Sequence, residues 1–323
     1  MKVFITGLAG MIGARTAEML VEQGHEVYGC DNYNDYYDPL LKKARAKKLS
    51  KLRVQIGYYD ILDKDALRAG IKEANPDVVL HLAAYANPRH SLREPRPYID
   101  TNIHGTQNLI EVCEELDIQD VVYASSSCVM HGQPLPWNEQ DLPGHQNNPY
   151  GWSKRSNECQ FMHSNLSRTT GLRFFTVYGP YGRPDMALFL FTKGIIERKP
   201  IIAFNNGNMT RDFTYVDDIA KGVIGVLSYH ISLQGENFSE IFNIGRGEPV
   251  KLMDFIKAIE IKLDRKAIID YQPKHPADVP MTWADTTKLQ NLIGYKPIVS
   301  IEEGVNNFID WYLEYYKISM YDY

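Results

Sequence analysis

The sequence has few cysteines, no long apolar run and no excess of positive charge. Its four cysteines are dispersed without a C-x-x-C pair, which argues against a disulfide framework and against a metal site. It contains neither a run of about 18 apolar residues nor a charged leader followed by an apolar segment, so we expect no membrane span and no secretory signal. The net charge of −5 offers no basic field for nucleic acid or an anionic membrane. These absences favour a cytoplasmic protein without nucleic-acid or membrane partners.

What the sequence does contain is an alternation of short apolar runs and longer amphipathic segments. This alternation is typical of βαβ units, in which helices cover both faces of a parallel sheet. Strands are predicted over 3–6, 26–30, 54–57, 78–82, 121–124 and 172–176, and helices near 11–23, 38–49, 63–74, 98–116, 150–168, 186–198, 251–262 and 301–316. We therefore predict an α/β fold: a Rossmann-type doubly wound parallel sheet with a smaller C-terminal α/β substrate-binding domain.

The first predicted strand runs into a glycine-rich loop that opens a helix, Gly7-Leu8-Ala9-Gly10-Met11-Ile12-Gly13. Glycines let the backbone approach a pyrophosphate, and the helix N-terminus supplies unpaired N–H groups. The second strand leads to Asp31, near the place where an acid binds the adenosine ribose and would repel a 2′-phosphate, so NAD is favoured over NADP. Alone, the glycines would also suit an ordinary turn, and Asp31 could cap one. Predicted cofactor contacts are Gly7, Gly10, Met11, Ile12, Gly13, Asp31, Asn32, Asp60, Ile61, Leu82, Ala83, Ala84, Asn102, Tyr150 and Lys154.

Tyr150 and Lys154 form a Y-x-x-x-K motif, which places both side chains on one face of a helix. A nearby ammonium favours the phenolate, so Lys154 is expected to lower the pKa of Tyr150 from about 10 and make it a general base. The motif is frequent by chance, and its weight comes from the glycine loop before it and from Ser125-Ser126-Ser127 at a strand end, where such sheets bind ligands. We predict that Tyr150, Lys154 and Ser126 are catalytic.

Together these residues resemble the extended short-chain dehydrogenases/reductases, the NAD-dependent epimerases and dehydratases of nucleotide sugars. Within that family the chain is similar to UDP-glucuronate 4-epimerases. The similar segments are Asp31-Asn32-Tyr33-Asn34-Asp35-Tyr36-Tyr37-Asp38-Pro39, Arg173-Phe174-Phe175-Thr176-Val177-Tyr178-Gly179-Pro180 and Gly182-Arg183-Pro184-Asp185-Met186-Ala187. The chain departs from the family after the serines, where Cys128-Val129-Met130-His131-Gly132 replaces the common S-V-Y-G. Ser127 is therefore the alternative to Ser126 as the catalytic hydroxyl.

The resemblance implies interconversion of UDP-glucuronate and UDP-galacturonate through a 4-keto intermediate. Such an intermediate loses CO₂ when its carboxylate aligns with the carbonyl π system, so an epimerase must hold the carboxylate away from that alignment. Ser127, Thr176 and Arg183 are the candidates for this task. The implied substrate contacts are Arg89, Ser126, Ser127, Thr176, Arg183, Lys193, Arg211 and Asp278, with Arg211 at the diphosphate.

The resemblance also implies two domains and a homodimer formed through two helices per subunit. Residues 1–175 and about 213–244 are assigned to the NAD-binding domain. Residues from about 176 to 212 and 245–323 are assigned to the nucleotide-sugar-binding domain.

Other functions remain as alternatives. A 4,6-dehydratase commonly carries an Asp-Glu pair, and a UDP-glucuronate decarboxylase a Glu, where this chain has Ser127-Cys128. A UDP-hexose 4-epimerase commonly has Asn at the place of Thr176. A non-catalytic NAD-binding regulator would be expected to lack Tyr150 or Lys154, and both are present. These differences favour epimerisation of a uronic acid.

Overall fold

A seven-stranded parallel sheet forms the centre of the computed structural model, which describes residues 1–233 and 235–319. Its strands are β1 (Lys2–Thr6), β2 (Glu26–Asp31), β3 (Gln55–Tyr58), β4 (Val78–His81), β5 (Asp120–Ser126), β6 (Arg168–Phe174) and β11 (Phe238–Ile244). They lie in the order β3-β2-β1-β4-β5-β6-β11, with every neighbouring pair parallel. The predicted doubly wound sheet is confirmed.

Helices cover both faces of this sheet because consecutive strand residues point to opposite sides. In β1, Val3 and Ile5 pack in one apolar cluster, and Phe4 packs in another. The helices are α1 (Met11–Glu22), α2 (Pro39–Lys51), α3 (Lys64–Ala74), α4 (Pro88–Arg93), α5 (Thr106–Glu115, after a π-helical segment Tyr98–Gly105), α6 (Pro149–Met162), α7 (Ala187–Ile196), α8 (Val216–Ser232), α9 (Leu252–Leu263), α10 (Thr287–Ile293) and α11 (Ile301–Tyr316). Within the described ranges, no helix is long and apolar enough to cross a membrane.

In the part of the chain that the structure describes, three short strand pairs lie outside the large sheet. Their members are β7 (Thr176–Tyr178) with β10 (Phe213–Tyr215), β8 (Ile201–Phe204) with β13 (Ile269–Gln272), and β9 (Thr210–Arg211) with β12 (Val250–Lys251). The strand predicted over 172–176 therefore divides. The chain leaves β6 at Phe174, and Thr176 pairs instead with Phe213 in β10. The proposed division into two domains stays a prediction.

The connections at the carboxyl ends of the strands carry the predicted motifs. The order in which the chain adds strands to the sheet reverses at β1: β2 and β3 lie on one side of it, and β4, β5 and β6 on the other. In open α/β sheets the crevice at such a point binds ligands. The glycine loop follows β1, and the Ser125-Ser126-Ser127 run closes β5 and begins a short 3-10 turn. The topology thus brings the predicted residues together along the edge of the sheet formed by the carboxyl ends of its strands.

Candidate active site

A cavity of about 430 Å³ opens at this edge of the sheet. It joins the two groups of predicted residues, those assigned to a cofactor and those assigned to a substrate. The predicted residues that line it are Gly7, Gly10, Met11, Ile12, Gly13, Asp31, Asn32, Asp60, Ile61, Leu82, Ala83, Ala84, Ser126, Ser127, Tyr150, Lys154, Thr176, Arg183, Arg211 and Asp278. Asn102, Arg89 and Lys193 are not among its lining residues.

The glycine loop forms a cradle that side chains would fill. Gly7 has a φ of +71°, and a Cβ added to it would lie 2.8 Å from the backbone nitrogen of Ala83. A Cβ on Gly13 would lie 2.6 Å from the carbonyl oxygen of Gly7. Gly10 precedes α1 and offers its helix no side-chain cap, which leaves the first N–H groups available to an anion. These features fit the pyrophosphate of a dinucleotide.

Asp31 ends β2 beside this loop and is 8% exposed. Its carboxylate accepts from the backbone nitrogens of Ala9, at 3.1 Å, and of Tyr33, at 2.8 Å. Burial raises the pKa of Asp31, and these hydrogen bonds together with the charge of Lys42 oppose the rise. The nearby Asn32 amide donates to Asp60 at 2.6 Å. The arrangement suits an adenosine ribose and fits NAD.

Asn102 acts on the cavity indirectly. Its buried amide accepts from the backbone nitrogen of Tyr85 and donates to the carbonyl oxygen of Tyr85, both at 2.9 Å, and donates to Ser153 at 2.8 Å. It therefore holds the backbone that follows Leu82-Ala83-Ala84, and its direct contact with a cofactor stays a prediction.

Helix α6 presents Tyr150 and Lys154 to the cavity. Pro149 starts the helix, and the Asn148 side chain caps it by accepting from the Gly151 nitrogen at 2.8 Å. Lys154 Nζ donates to the carbonyl oxygen of Ala124 in β5 at 3.0 Å. Of the two candidate serines, Ser126 is the one that acts to lower the pKa of Tyr150. Helix α6 and the end of β5 thus bring the phenol, the amine and the hydroxyl to the same cavity.

The expected effect of Lys154 on Tyr150 is wrong for this structure. Burial raises the pKa of Tyr150 above its ordinary value, Cys128 adds to the rise, and Ser126 and Arg183 oppose it. Burial also lowers the pKa of Lys154 from 10.5 to about 7. Because both groups lie in a low-dielectric environment, desolvation outweighs the attraction that the helical spacing suggested.

Polar side chains line the cavity beyond Tyr150. Ser127 begins the 3-10 turn after β5, and Thr176 begins β7. Arg183 follows in the loop between β7 and α7 and forms two hydrogen bonds to Asp185, Nε to Oδ1 at 2.9 Å and Nη2 to Oδ2 at 2.6 Å. Hydroxyls and a guanidinium suit a carboxylate ligand.

The far end of the cavity contains Arg211 and Asp278. Burial lowers the pKa of Arg211, so an anionic ligand there would be stabilising. Asp278 pairs with Arg89, whose Nη2 lies 2.7 Å from Oδ2, and the Arg89 guanidinium packs 4.0 Å from the centre of the Phe204 ring. Arg89 therefore adjoins the cavity through Asp278. Lys193 points elsewhere: its side chain is 55% exposed and its amine is 4.0 Å from Glu197.

Several residues of this region carried no predicted role. Tyr36, Tyr37 and Lys42 line the cavity, and Lys42 donates to the backbone and side-chain oxygens of Asn34 at 2.9 and 2.7 Å. Tyr36 and Tyr37 lie in the Asp31 to Pro39 segment that resembles the family, and Lys42 lies in the helix predicted after it. Cys128 also lines the cavity, and its backbone nitrogen donates to Ser126 Oγ at 3.2 Å.

Three features define the class of protein: the order of the strands, the glycine cradle, and the Tyr150–Lys154 pair in the same cavity. Together they are those of a dinucleotide-binding protein of the short-chain dehydrogenase/reductase class. The family model described as NAD dependent epimerase/dehydratase matches residues 3–245. The chain belongs to this family. The match confirms the predicted family and NAD as its cofactor.

Individual relatives are similar over nearly the whole chain. Protein CapI of Staphylococcus aureus is 43% identical, over 98% of this chain and 100% of that protein. The UDP-glucuronate 4-epimerase of Thermodesulfobacterium geofontis is 39% identical, over 95% of this chain and 94% of that one. The UDP-glucuronic acid 4-epimerase of Bacillus cereus, crystallised with UDP-glucuronic acid and NAD, superposes with a TM-score of 0.90 at 33% identity, over 98% of this chain and 100% of that chain.

Proposed function

We propose that the protein is an NAD-dependent UDP-glucuronate 4-epimerase. The observation that carries the proposal is the single cavity that runs from the glycine cradle past Tyr150 to Thr176, Arg183 and Arg211. One cavity thus holds both a dinucleotide cradle and donors suited to a nucleotide sugar, together with the phenol of Tyr150. Two full-length relatives with this activity support the assignment.

Each residue has a defined task in this reaction. NAD, held by the glycine cradle and Asp31, supplies an acceptor that takes a hydride from C4 and later gives it back. Tyr150 takes the proton of the 4-hydroxyl and returns it at the end, as a general base and then a general acid. Ser126 hydrogen-bonds the 4-oxygen and Tyr150, and Lys154 orients the cofactor ribose. The 4-keto sugar turns in the cavity between the two transfers, so the hydride returns to the opposite face.

The carboxylate of the intermediate must be held still during this turn. Ser127, Thr176 and Arg183 lie on the wall that the sugar end would face, and their donors suit a carboxylate. Arg211 binds the diphosphate. The ion pair between Asp278 and Arg89 holds Asp278 in the same cavity. When these residues hold the carboxylate out of alignment with the π system of the 4-keto group, loss of CO₂ is suppressed.

Incubation of the pure protein with NAD and UDP-glucuronate, followed by NMR, tests the proposal. UDP-galacturonate is the expected product. Release of CO₂ with a UDP-pentose would identify a decarboxylase instead. In a parallel incubation with UDP-glucose, turnover of that sugar but not of UDP-glucuronate would identify a hexose epimerase. Loss of the sugar without either product would also contradict the assignment.

Tyr150→Phe is expected to lower turnover about a thousandfold, since a positioned general base contributes roughly 10² to 10⁴. Tyr295→Phe is the matched control: Tyr295 is buried, its hydroxyl has no hydrogen-bond partner among the described residues, and it is not among the cavity-lining residues. Circular dichroism checks that both variants fold. Wild-type turnover by Tyr150→Phe would remove Tyr150 as the base.

We also propose that the protein works as a homodimer in the cytoplasm. The dispersed, free cysteines suit a reducing compartment. On α6, Trp152 is 47% exposed and lines a shallow apolar groove with Leu92, Pro95 and Ile99. An apolar surface of this kind favours a partner. Light scattering of the wild type and of Trp152→Glu tests the dimer, and a wild-type monomer would overturn it.

A further inference from the structure

A carboxylate that does not line the cavity anchors Arg183. Asp185 accepts four hydrogen bonds: from Arg183 Nε at 2.9 Å, Arg183 Nη2 at 2.6 Å, the Tyr36 hydroxyl at 2.8 Å and the Asn87 amide at 2.7 Å. Burial raises the pKa of Asp185, but the charge of Arg183 and the hydrogen bonds from Arg183, Asn87 and Tyr36 together lower it to about 2. The group is therefore a carboxylate at neutral pH.

The donors come from three separate segments of the chain. Tyr36 lies between β2 and α2, Asn87 precedes α4, and Arg183 shares with Asp185 the loop before α7. The orientation of the Asn87 amide is set by a second contact, in which its oxygen accepts from the His90 nitrogen at 3.0 Å. The Asp185 carboxylate thus links three loops: the loop between β2 and α2, the loop before α4 and its own loop before α7.

These contacts restrict the guanidinium of Arg183. The fork formed by Nε and Nη2 is held by Asp185, and Nη1 donates to the carbonyl oxygen of Ala86 at 2.6 Å. Three of its five N–H groups are engaged, and two remain for a ligand. Since Arg183 is fixed before a ligand arrives, binding does not have to restrict a long, mobile side chain. The pair is also neutral overall, so a ligand meets aligned donors rather than a free charge.

We propose that Asp185, supported by Tyr36 and Asn87, is a positioning residue that fixes Arg183 and thereby sets the preference for a uronic acid over a neutral hexose. The inference rests on the proposed function. It assigns a role to the Tyr36 segment and to Asp185, which carried none in the reaction itself.

A second ion pair in the molecule provides a close comparison. Arg15 and Asp217 join α1 to α8 in the same two-bond geometry, at 2.8 and 2.9 Å. The side chains of this pair are 26% and 27% exposed, against 20% and 26% for Arg183 and Asp185. Neither Arg15 nor Asp217 lines the cavity. Asp217→Asn therefore removes an equivalent charge pair without touching Arg183.

The test measures binding to NAD-loaded protein by calorimetry, with UDP-glucuronate, UDP-glucose and UDP as probes. A Tyr150→Phe background keeps the sugars unchanged during the titration. Asp185→Asn is expected to reduce the preference for UDP-glucuronate over UDP-glucose by about tenfold or more, while the affinity for UDP changes less than about twofold. Asp217→Asn is expected to leave the preference unchanged. An unchanged or increased preference in Asp185→Asn overturns the inference, as does an equal loss for UDP.

Tyr36→Phe keeps the proposal testable if Asp185→Asn does not fold. It removes one hydrogen bond to Asp185, and we expect the preference to fall roughly threefold. An unchanged preference overturns the inference here also. A parent protein that does not prefer the uronic acid overturns it as well, and NMR on the wild type reports separately whether the proposed epimerisation occurs.

Discussion

At the scale of single residues, burial of the Lys154 amine opposes its ionisation. It is 2% exposed, and burial lowers its pKa from 10.5 to about 7. Between those two values the unfolded chain binds a proton that the folded protein lacks, so stability rises with pH across this window. Below about 7 both states are protonated, and the folded protein carries the full cost of the buried charge.

Replacing Lys154 with methionine is therefore expected to stabilise the nucleotide-free protein at pH 6. The gain is on the order of 3 kcal/mol, after allowing about 1 kcal/mol for the lost hydrogen bond to Ala124, and it shrinks as the pH approaches 10. Thermal melts of wild type and variant across this range measure it. Lys193→Met, on an exposed side chain, is the control and is expected to show no such trend. A difference that does not vary with pH would contradict the burial argument.

Single residues also show how far the sequence could predict the site. The glycines, Asp31, Tyr150 and Lys154 could be predicted because a fixed local spacing carries their chemistry. The anchor of Arg183 could not be predicted, since Asp185 meets Tyr36 and Asn87 only after the sheet has brought distant connections together. The predicted lowering of the Tyr150 pKa was wrong for a related reason. Helical spacing indicates which side chains are close, whereas their burial depends on the whole fold.

At the scale of elements, the turn from β1 into α1 depends on a conformation that favours glycine. Gly7→Ala would place a Cβ 2.8 Å from the Ala83 nitrogen at a φ of +71°, whereas Gly24→Ala, at a φ of +80°, meets nothing within 4 Å. Both variants carry the left-handed penalty of about 1 to 2 kcal/mol. We expect Gly7→Ala to lose at least about 1 kcal/mol more in urea unfolding, and also to bind NAD more weakly. Equal losses of unfolding free energy in the two variants would show that the close approach of Gly7 to Ala83 does not affect stability.

A buried ion pair ties α6 to the two strands beneath it. Glu158, four residues after Lys154, accepts from Arg173 of β6 at 2.8 and 3.1 Å and from Ser125 of β5 at 2.6 Å. Glu158 and Arg173 are 0% and 2% exposed. The spacing of strands and helices predicted these elements but not their pairing, because nothing local links Glu158 to Arg173.

Glu158→Gln is expected to destabilise the protein by about 3 to 5 kcal/mol, since it leaves the Arg173 charge buried without its partner. The midpoint of urea unfolding measures the change. Asp65→Asn, which breaks an exposed pair with Arg68 on α3, is the control and should leave the midpoint where it is. A similar midpoint for the two variants would mean that water or another group compensates Arg173.

At the scale of the whole molecule, one buried side chain joins the glycine loop to the loop that carries Arg183. Arg45 of α2 is 2% exposed and donates to the Ala9 carbonyl oxygen in the glycine loop at 2.5 Å. It also donates to the Tyr181 carbonyl oxygen at 2.6 Å, two residues before Arg183, and to the Tyr37 hydroxyl at 2.5 Å. Since the same guanidinium holds both loops, we expect order imposed on the glycine loop to extend to the loop that carries Arg183.

Binding of NAD is consequently expected to stabilise the protein as a unit. A ligand that binds only the folded state adds about 2.7 kcal/mol at a hundred times its Kd, so NAD should raise the melting temperature in one transition. NADP at the same concentration should produce a much smaller shift, because its 2′-phosphate would meet the buried carboxylate of Asp31. Asp31→Asn should narrow that difference by removing the charge. Equal shifts from NAD and NADP in the wild type would show that Asp31 does not face the adenosine ribose. A melt with two transitions in saturating NAD would show that Arg45 does not couple the glycine loop to the loop that carries Arg183.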